Sequence, residues 1–318
     1  MSSVDTGSRW PVAARASKVE SLSELAARVS SGDVVGVGGG LSSREPMALL
    51  RELIRAEVSD LTVVGSAHGI DIDLLCGAGA VARTGESYVG FEQDFGMAPN
   101  YRRSCEDGTV KLEDSCCYTL VQQLRAAIQG LPFMPIRSIM GTSFEELHPE
   151  YKAVECPFTG DTVVLVPALR PDVAVLHVQY ADEMGNLRIE GPEVADVLFA
   201  KASKTVLATA EKIVSTEELH AMGGISVPYF YVTAVAEVSF GAHPTACYPF
   251  YAYDRAHTQK YYKLAKAGEA TFRDEYLQPY VLDCASNDDY LERVGGDENF
   301  AKLASWKQGK EEWMALYQ

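Results

Sequence analysis

Two periodicities alternate along this chain. Short apolar runs occur at Val34–Val37, Leu61–Val64, Val163–Val166, Val173–Gln179 and Thr205–Thr209. Such runs lack in/out alternation and suit strands buried on both faces of a parallel sheet. Between them, apolar residues recur three and four apart. Leu22, Leu25 and Val29 follow a Ser21/Glu24 capping box and stop at Gly32, while Met47, Leu50, Leu53 and Ile54 follow Pro46. Ile72, Leu74 and Leu75, then Leu120, Leu124, Ala127 and Ile128 within 115–130, predict two more helices, and 193–202 and 215–221 predict another two. Strand, helix and strand over 34–64 make a parallel βαβ unit, right-handed by the usual rule. The chain therefore reads as α/β with a mostly parallel sheet.

Outside this pattern, residues 1–17 predict a loose N-terminal arm, and 18–318 a single domain. A loop-rich excursion at 141–160, with Pro149, Pro157 and Gly160, reads as a lid or subdomain. A strand is expected around Ser87–Val89 and further β-type sequence at 228–238. The tail from Arg255 is helical and charged, and its Tyr261, Tyr262, Phe272, Tyr276, Trp306 and Trp313 suit core packing more than a partner surface.

The first apolar run ends in Gly38, Gly39 and Gly40, ahead of Arg44 and Pro46. Glycines between a strand and a helix N-terminus let backbone N–H groups approach an anionic oxygen, so the turn predicts an oxyanion or phosphate cradle. The alternative is a tight turn serving strand–helix packing alone. The run lacks both the dinucleotide G-x-G-x-x-G and the phosphate-loop Gly-Lys-Ser/Thr. A second small-residue turn, Gly65 to Gly69, follows the next strand, and two such turns on successive parallel strands open on one sheet edge. His68 is there either a polar handle or a solvated side chain. In the glycine- and proline-punctuated stretch 91–113, Tyr101 to Glu106 predict a short helix after Pro99. Arg102 and Glu106 are then i and i+4, either a surface ion pair or a carboxylate held near cations at a cleft.

A net charge of −16 over 318 residues argues against nucleic acid or an anionic membrane as partner. The N-terminus lacks the apolar core of a signal peptide, and no run reaches the ~20 apolar residues of a membrane span, so a cytoplasmic protein is expected. Seven cysteines without a C-x-x-C pair read as buried small hydrophobes, with no metal site implied.

Several ordered motifs carry a family resemblance. They are Gly32-Asp33-Val34 through Gly38-Gly39 with Arg44-x-Pro46, YRRSCEDGTV, GLPFMPIRS with Gly141-Thr142, RPDVAVLHVQYADEMGNLRIEG, TAEKIVS and SFGAHPT. Together they resemble the alpha subunit of class I coenzyme A transferases, in the glutaconate branch, from about residue 20 to about 270. The most specific piece is Pro171-Asp172-Val173 through His177-x-Gln179-x-Ala181-Asp182-x-x-Gly185-Asn186. The resemblance implies an open, doubly wound sheet with helices on both faces. It also implies a separate beta subunit, with an α2β2 heterotetramer and a site between the chains. In the transferases the covalent nucleophile is a beta-chain glutamate, and the alpha-chain turn, usually Gly-Gly-Phe, helps bind the thioester oxygen. Gly40 stands here in the third place, which widens the pocket or shifts the donors.

Within this branch the chain is most similar to the alpha subunit of actinobacterial cholesterol ring-cleaving hydrolases. The reaction implied is hydrolytic opening of the last steroid ring of a carboxyethyl-methyl-oxocyclohexene-carboxyl-CoA, with no cofactor beyond the CoA of the substrate; the alternatives are an orthodox transferase of a dicarboxylic acid and a non-catalytic CoA-ester-binding protein. Water adds to a ring ketone β to the thioester and the C–C bond breaks to an enolate. An oxyanion donor there is worth ~3 kcal/mol of barrier, and a base ~10²–10⁴ in rate. The expected site is Glu106 as base, with Gly38, Gly39, Gly40, Arg44, His68, Arg102 and Arg103 around oxyanion and substrate.

Overall fold

The computed structural model describes residues 16–305. Most of the predicted N-terminal arm, with Trp306 and Trp313, lies outside them. Among the described residues eleven strands form in chain order: β1 Val34–Val37, β2 Leu61–His68, β3 Val81–Val89, β4 Lys111–Leu112, β5 Phe133–Ile136, β6 Lys152–Glu155, β7 Thr162–Pro167, β8 Val173–Ala181, β9 Leu187–Arg188, β10 Thr205–Ile213 and β11 Ala234–Glu237. The main sheet runs β11-β10-β8-β1-β2-β3-β4 with β9 paired to β8. Every pair along that path is parallel, and β9 is antiparallel to its neighbour. Val35 pairs with Val63 on one side and Val173 on the other. Strand order reverses between β1 and β8, a topological switch point.

Helices cover both faces, as expected of a doubly wound α/β sheet. Met47–Arg55 and Ile70–Gly77 bury Met47, Leu50, Leu53, Ile72 and Leu75 with Tyr261, Phe272 and Tyr276 against one face. Cys117–Ile128 and Asp196–Ala202 bury Leu120, Leu124 and Phe199 against the other. The Ser21/Glu24 capping box forms as predicted. Tyr261, Phe272 and Tyr276 are core residues, as the packing reading of the tail requires. Among the described residues no helix is long and apolar enough to cross a membrane.

Two strand expectations need correction. The run Val163–Val166 does not enter the parallel sheet: β7 is the centre of a separate antiparallel sheet, β5-β7-β6. Periodicity registers burial, and the second sheet supplies its own small core of Ile136, Ile139, Val164 and Val166. The 141–160 excursion thus contains a helical turn, Phe144–Leu147, and β6 of this sheet. The strand expected at Ser87–Val89 begins at Val81, because the polar and small residues of VARTGESYV hide its first half.

Candidate active site

The glycine turn leaves β1 at the switch point and is braced throughout. Gly39 has φ +75°, and a Cβ there would stand 2.4 Å from the Arg44 carbonyl oxygen, so only glycine fits. Leu41 and Arg44 also take positive φ, both +55°, and so does the exposed β-branched Val194, at +45°, in the facing loop. Non-glycine residues held there cost of order 1–3 kcal/mol each, and the bracing offsets it. Arg44 supplies much of it. Its guanidinium is buried, donates to Asp196 Oδ1 at 2.9 Å and Oδ2 at 3.2 Å, and reaches the Pro192 carbonyl at 2.6 Å.

The three glycine amides already have acceptors. Gly38 N–H donates to Val175 O at 2.9 Å, Gly39 N–H to Asp196 Oδ1 at 3.2 Å and Gly40 N–H to Ser43 O at 3.0 Å. The expected bare donor cradle is corrected accordingly: in this chain these amides hold the turn, because a buried N–H without an acceptor is costly. Arg44 likewise faces inward, fixed by Asp196, rather than into an open pocket.

What the sheet edge does assemble is a buried acid–base cluster. His68 ends β2, and its Nδ1 lies 2.5 Å from Asp71 Oδ2 at the start of the Ile70–Gly77 helix. Asp71 Oδ1 accepts from the Gly69 and Ile72 amides at 3.0 and 2.8 Å, which fixes the carboxylate. Glu45 follows Arg44 in the glycine turn, and Glu86 lies on β3 in register with Gly65 of β2. Both are buried, and their carboxyl oxygens, like His68 Nε2, have no hydrogen-bond partner among the described residues. Burial works against the His68 imidazolium, but the Asp71 and Glu86 charges hold it up to about 9. Burial pushes Glu86 up to about 8 against the pull of His68, and it pushes Glu45 well above the carboxylate range with Asp71 adding to it. At neutral pH the cluster holds a cationic imidazole, and burial favours the protonated form of Glu45 and Glu86. This is acid–base machinery in composition.

His68 is therefore a buried cluster member and not a solvated turn residue. Glu45, Asp71 and Glu86 escaped the sequence reading. A signal existed for two of them: Asp71 sits three residues after His68, and Glu86 shares the inward alternation of Thr84 on β3.

The remaining expected residues lie on the Pro99–Glu106 helix. Glu106 and Arg102 form an ion pair, Nε to Oε1 at 2.7 Å, with side chains 64% and 55% exposed. In the single chain this is the surface i,i+4 pair, worth a few tenths of a kcal/mol. Arg103 turns the other way, donating to Asn100 Oδ1 at 3.0 Å and Ala265 O at 2.6 Å, and so ties this helix to the Arg255–Ala267 helix. Asp73 anchors the same junction, accepting from Tyr261 Oη at 2.6 Å, Tyr101 N at 2.8 Å and Asn100 Nδ2 at 3.0 Å. The structure groups Gly38, Gly39, Gly40, Arg44 and His68 at the sheet edge, and Arg102, Arg103 and Glu106 on this separate helix.

The motif residues mostly brace strands. His177 on β8 bonds Thr209 Oγ1 and Glu211 Oε1 of β10, both at 2.8 Å. Glu211 also accepts from the Phe240 and Gly241 amides and Tyr251 Oη. Asp182 accepts from Asn186 and Thr216. Ligand-type atoms of Glu45, His68 and Asp71, and of His177, Glu211 and Cys247, fall within 4.8 Å of one another. In the first group the imidazole is protonated; in the second both imidazole nitrogens are hydrogen-bonded and burial keeps Cys247 a thiol. Neither set is assigned to a metal.

Comparison with known proteins agrees with this architecture. A family model described as coenzyme A transferase matches residues 19–238. An uncharacterized protein of Archaeoglobus fulgidus is 35% identical over 89% of the chain, which spans 63% of that relative's length. One of the subunits of glutaconate CoA-transferase from Acidaminococcus fermentans is 32% identical, covering 88% of this chain and 92% of that one. The cholesterol ring-cleaving hydrolase IpdA subunit of Mycobacterium tuberculosis is also 32% identical, covering 84% and 95%. The crystal structure of the Acidaminococcus transferase superimposes with a TM-score of 0.84 over 90% of this chain and 95% of that one, at 32% identity.

Proposed function

Because this chain belongs to the coenzyme A transferase family, a group acting on CoA esters, we propose that it is the alpha subunit of a hydrolase that opens the ring of a cyclic CoA thioester. The substrate proposed is the carboxyethyl-methyl-oxocyclohexene-carboxyl-CoA of steroid breakdown, and the product a methyl-dioxodecanedioyl-CoA. The partner is a separate beta subunit, in an α2β2 assembly. Two relatives of equal identity carry the names of a hydrolase and of a transferase. The observation favouring hydrolysis is the Glu45–His68–Asp71–Glu86 cluster: this chain carries acid–base groups of its own beside the turn.

Ring opening makes two proton demands. Water loses a proton as its oxygen bonds the ring ketone carbon; the C–C bond then breaks, and the enolate carbon takes a proton back. Glu106 is the proposed base, standing on a surface that the beta chain would cover, with Arg102 orienting it. Arg103 fixes the helix that carries both. His68 and the protonated carboxyls beside the glycine turn supply the acidic environment in which the enolate is neutralised.

The second reading, an orthodox transferase working on a dicarboxylic acid, has the Acidaminococcus relative behind it. Co-purifying the chain with its beta partner and following the cyclic CoA ester with and without a free-acid acceptor separates the two. Ring opening without acceptor supports hydrolysis; turnover only with acceptor, through a beta-chain glutamyl thioester, replaces it with transfer.

A further inference from the structure

Among the described residues Val194 is the only β-branched side chain on a left-handed backbone, at φ +45°. It lies in the loop between β9 and the Asp196–Ala202 helix. A β-branched residue is poorly suited to that conformation, because its crowded Cβ presses on the neighbouring peptide. Burial does not offset the strain: the side chain is 52% exposed, and exposed methyls gain little from the hydrophobic effect. Three residues earlier the same loop meets a left-handed position with Gly191, at φ +90°. Turning the chain is served there by glycine, whereas Val194 carries a side chain that the turn does not need.

The loop holds that side chain in one place. Arg44 Nη2 donates to Pro192 O at 2.6 Å, and the Asp196 amide donates to Glu193 O at 2.9 Å. Gln179 grips the Glu190 backbone with both ends of its amide, each bond 3.0 Å long. Both Val194 methyls flank the glycine turn: Cγ1 and Cγ2 lie 3.5 and 3.9 Å from the position a Cβ on Gly40 would take. Gly40 and Ala67, which follow β1 and end β2, are themselves half-buried, so this face of the turn meets solvent. A pinned, uncovered isopropyl group thus stands beside bare backbone at the carboxyl edge of the sheet, where strand order reverses and α/β proteins take their ligands.

We propose that Val194 is a specificity-determining residue, its isopropyl group forming the apolar wall against which the acyl ring of a cyclic CoA ester packs beside the glycine turn. The ring covers the exposed methyls, so the strain of the loop is offset only in the bound state. A straight-chain dicarboxylic acyl group, slimmer and charged at its end, gains little from the same wall. The proposal rests on the reading of the substrate as a cyclic CoA ester, and it needs that ester to bind rather than to be opened.

Val194→Asn and Val194→Gly, compared with the parent chain in the complex with the beta subunit, test it. Asparagine tolerates a positive φ, so the melting temperature is expected to rise by about 2 °C or more in Val194→Asn. In Val194→Gly it should not fall, because relief of strain opposes the freer unfolded chain. In both variants kcat/KM for the cyclic ester is expected to drop by about tenfold or more, mainly through KM. Calorimetric binding of adipoyl-CoA, a straight-chain dicarboxylic ester, should change by less than about threefold. A lower melting temperature in both variants would make Val194 a packing residue and overturn the proposal. Equal weakening of the two esters would overturn it too, as would separation of the subunits in gel filtration, which would make Val194 a contact with the beta chain. If calorimetry shows the cyclic ester bound by the parent and weakened in both variants, yet the parent opens no ring, the hydrolytic reading fails and the role of Val194 stands. A parent complex that does not bind the cyclic ester overturns both.

Discussion

Arg44 and Asp196, 152 residues apart in sequence, meet in a buried two-pronged ion pair that closes the glycine turn onto the start of the facing helix. Removing one partner of such a pair leaves a charge without solvent or counterion, at a cost of about 3–5 kcal/mol. Arg44→Ala is accordingly expected to lower the stability read from urea unfolding by that amount. A double replacement by Met and Leu should recover much of it, because the desolvation cost disappears with the pair. Equal losses in the single and double variants would show that the pair does not brace the turn.

Gly39→Ala should be among the more damaging small substitutions in the chain. It adds a methyl against the Arg44 backbone at 2.4 Å and forces an alanine to φ +75°. Strain of about 1–3 kcal/mol is expected before any steric overlap is counted. Gly40→Ala, with no positive φ to satisfy and its nearest contact at 3.0 Å, should cost less. Thermal unfolding of the two variants side by side checks the order.

Glu106→Gln separates the surface reading from the catalytic one. The exposed pair with Arg102 contributes too little for the variant to lose measurable stability. Under the proposed mechanism turnover of the assembled complex falls by about a hundredfold or more. Near-normal turnover would remove Glu106 from the chemistry and leave it as a surface ion pair.

Taken together, His68, Glu86 and His257 should leave stability level between about pH 4.5 and about pH 6.5 and lower it on either side. His68, raised from 6.5 to about 9, and Glu86, raised from 4.5 to about 8, favour the fold when protonated, so their contribution is full below the unfolded values and is lost as pH climbs through the folded ones. His257 goes the opposite way: burial holds it down to about 3, so its contribution is lost as pH falls below 6.5. In Glu86→Gln the melting temperature should decline less between about pH 6 and about pH 9. A decline identical to that of the parent chain would contradict the placement of both charges.

The parallel sheet was readable because its central strands, such as Val173–Ala181, are apolar on both faces, and its helices because their caps and spacing agree. β7 misled for the same reason it was noticed, since an apolar run records burial without saying which sheet provides it. The glycine turn was located correctly, but whether its amides point outward or inward depends on Asp196, Val175 and Ser43, and spacing along the chain does not bring the first two near. Glu86 was hidden because its neighbours Arg83, Gly85 and Ser87 make that half of β3 look like loop. Only the pairing with Gly65 places its carboxyl beside His68.

His177, Asp182 and Glu211, which make the chain recognisable, are occupied in stitching β8 and β10 to the loops that follow them. The signature is consequently one of masonry: it certifies how the walls stand and is silent about the trade carried on inside. A family assignment that rests on such bracing residues therefore leaves the reaction open, as two relatives of equal identity illustrate, one named for a transferase and one for a hydrolase.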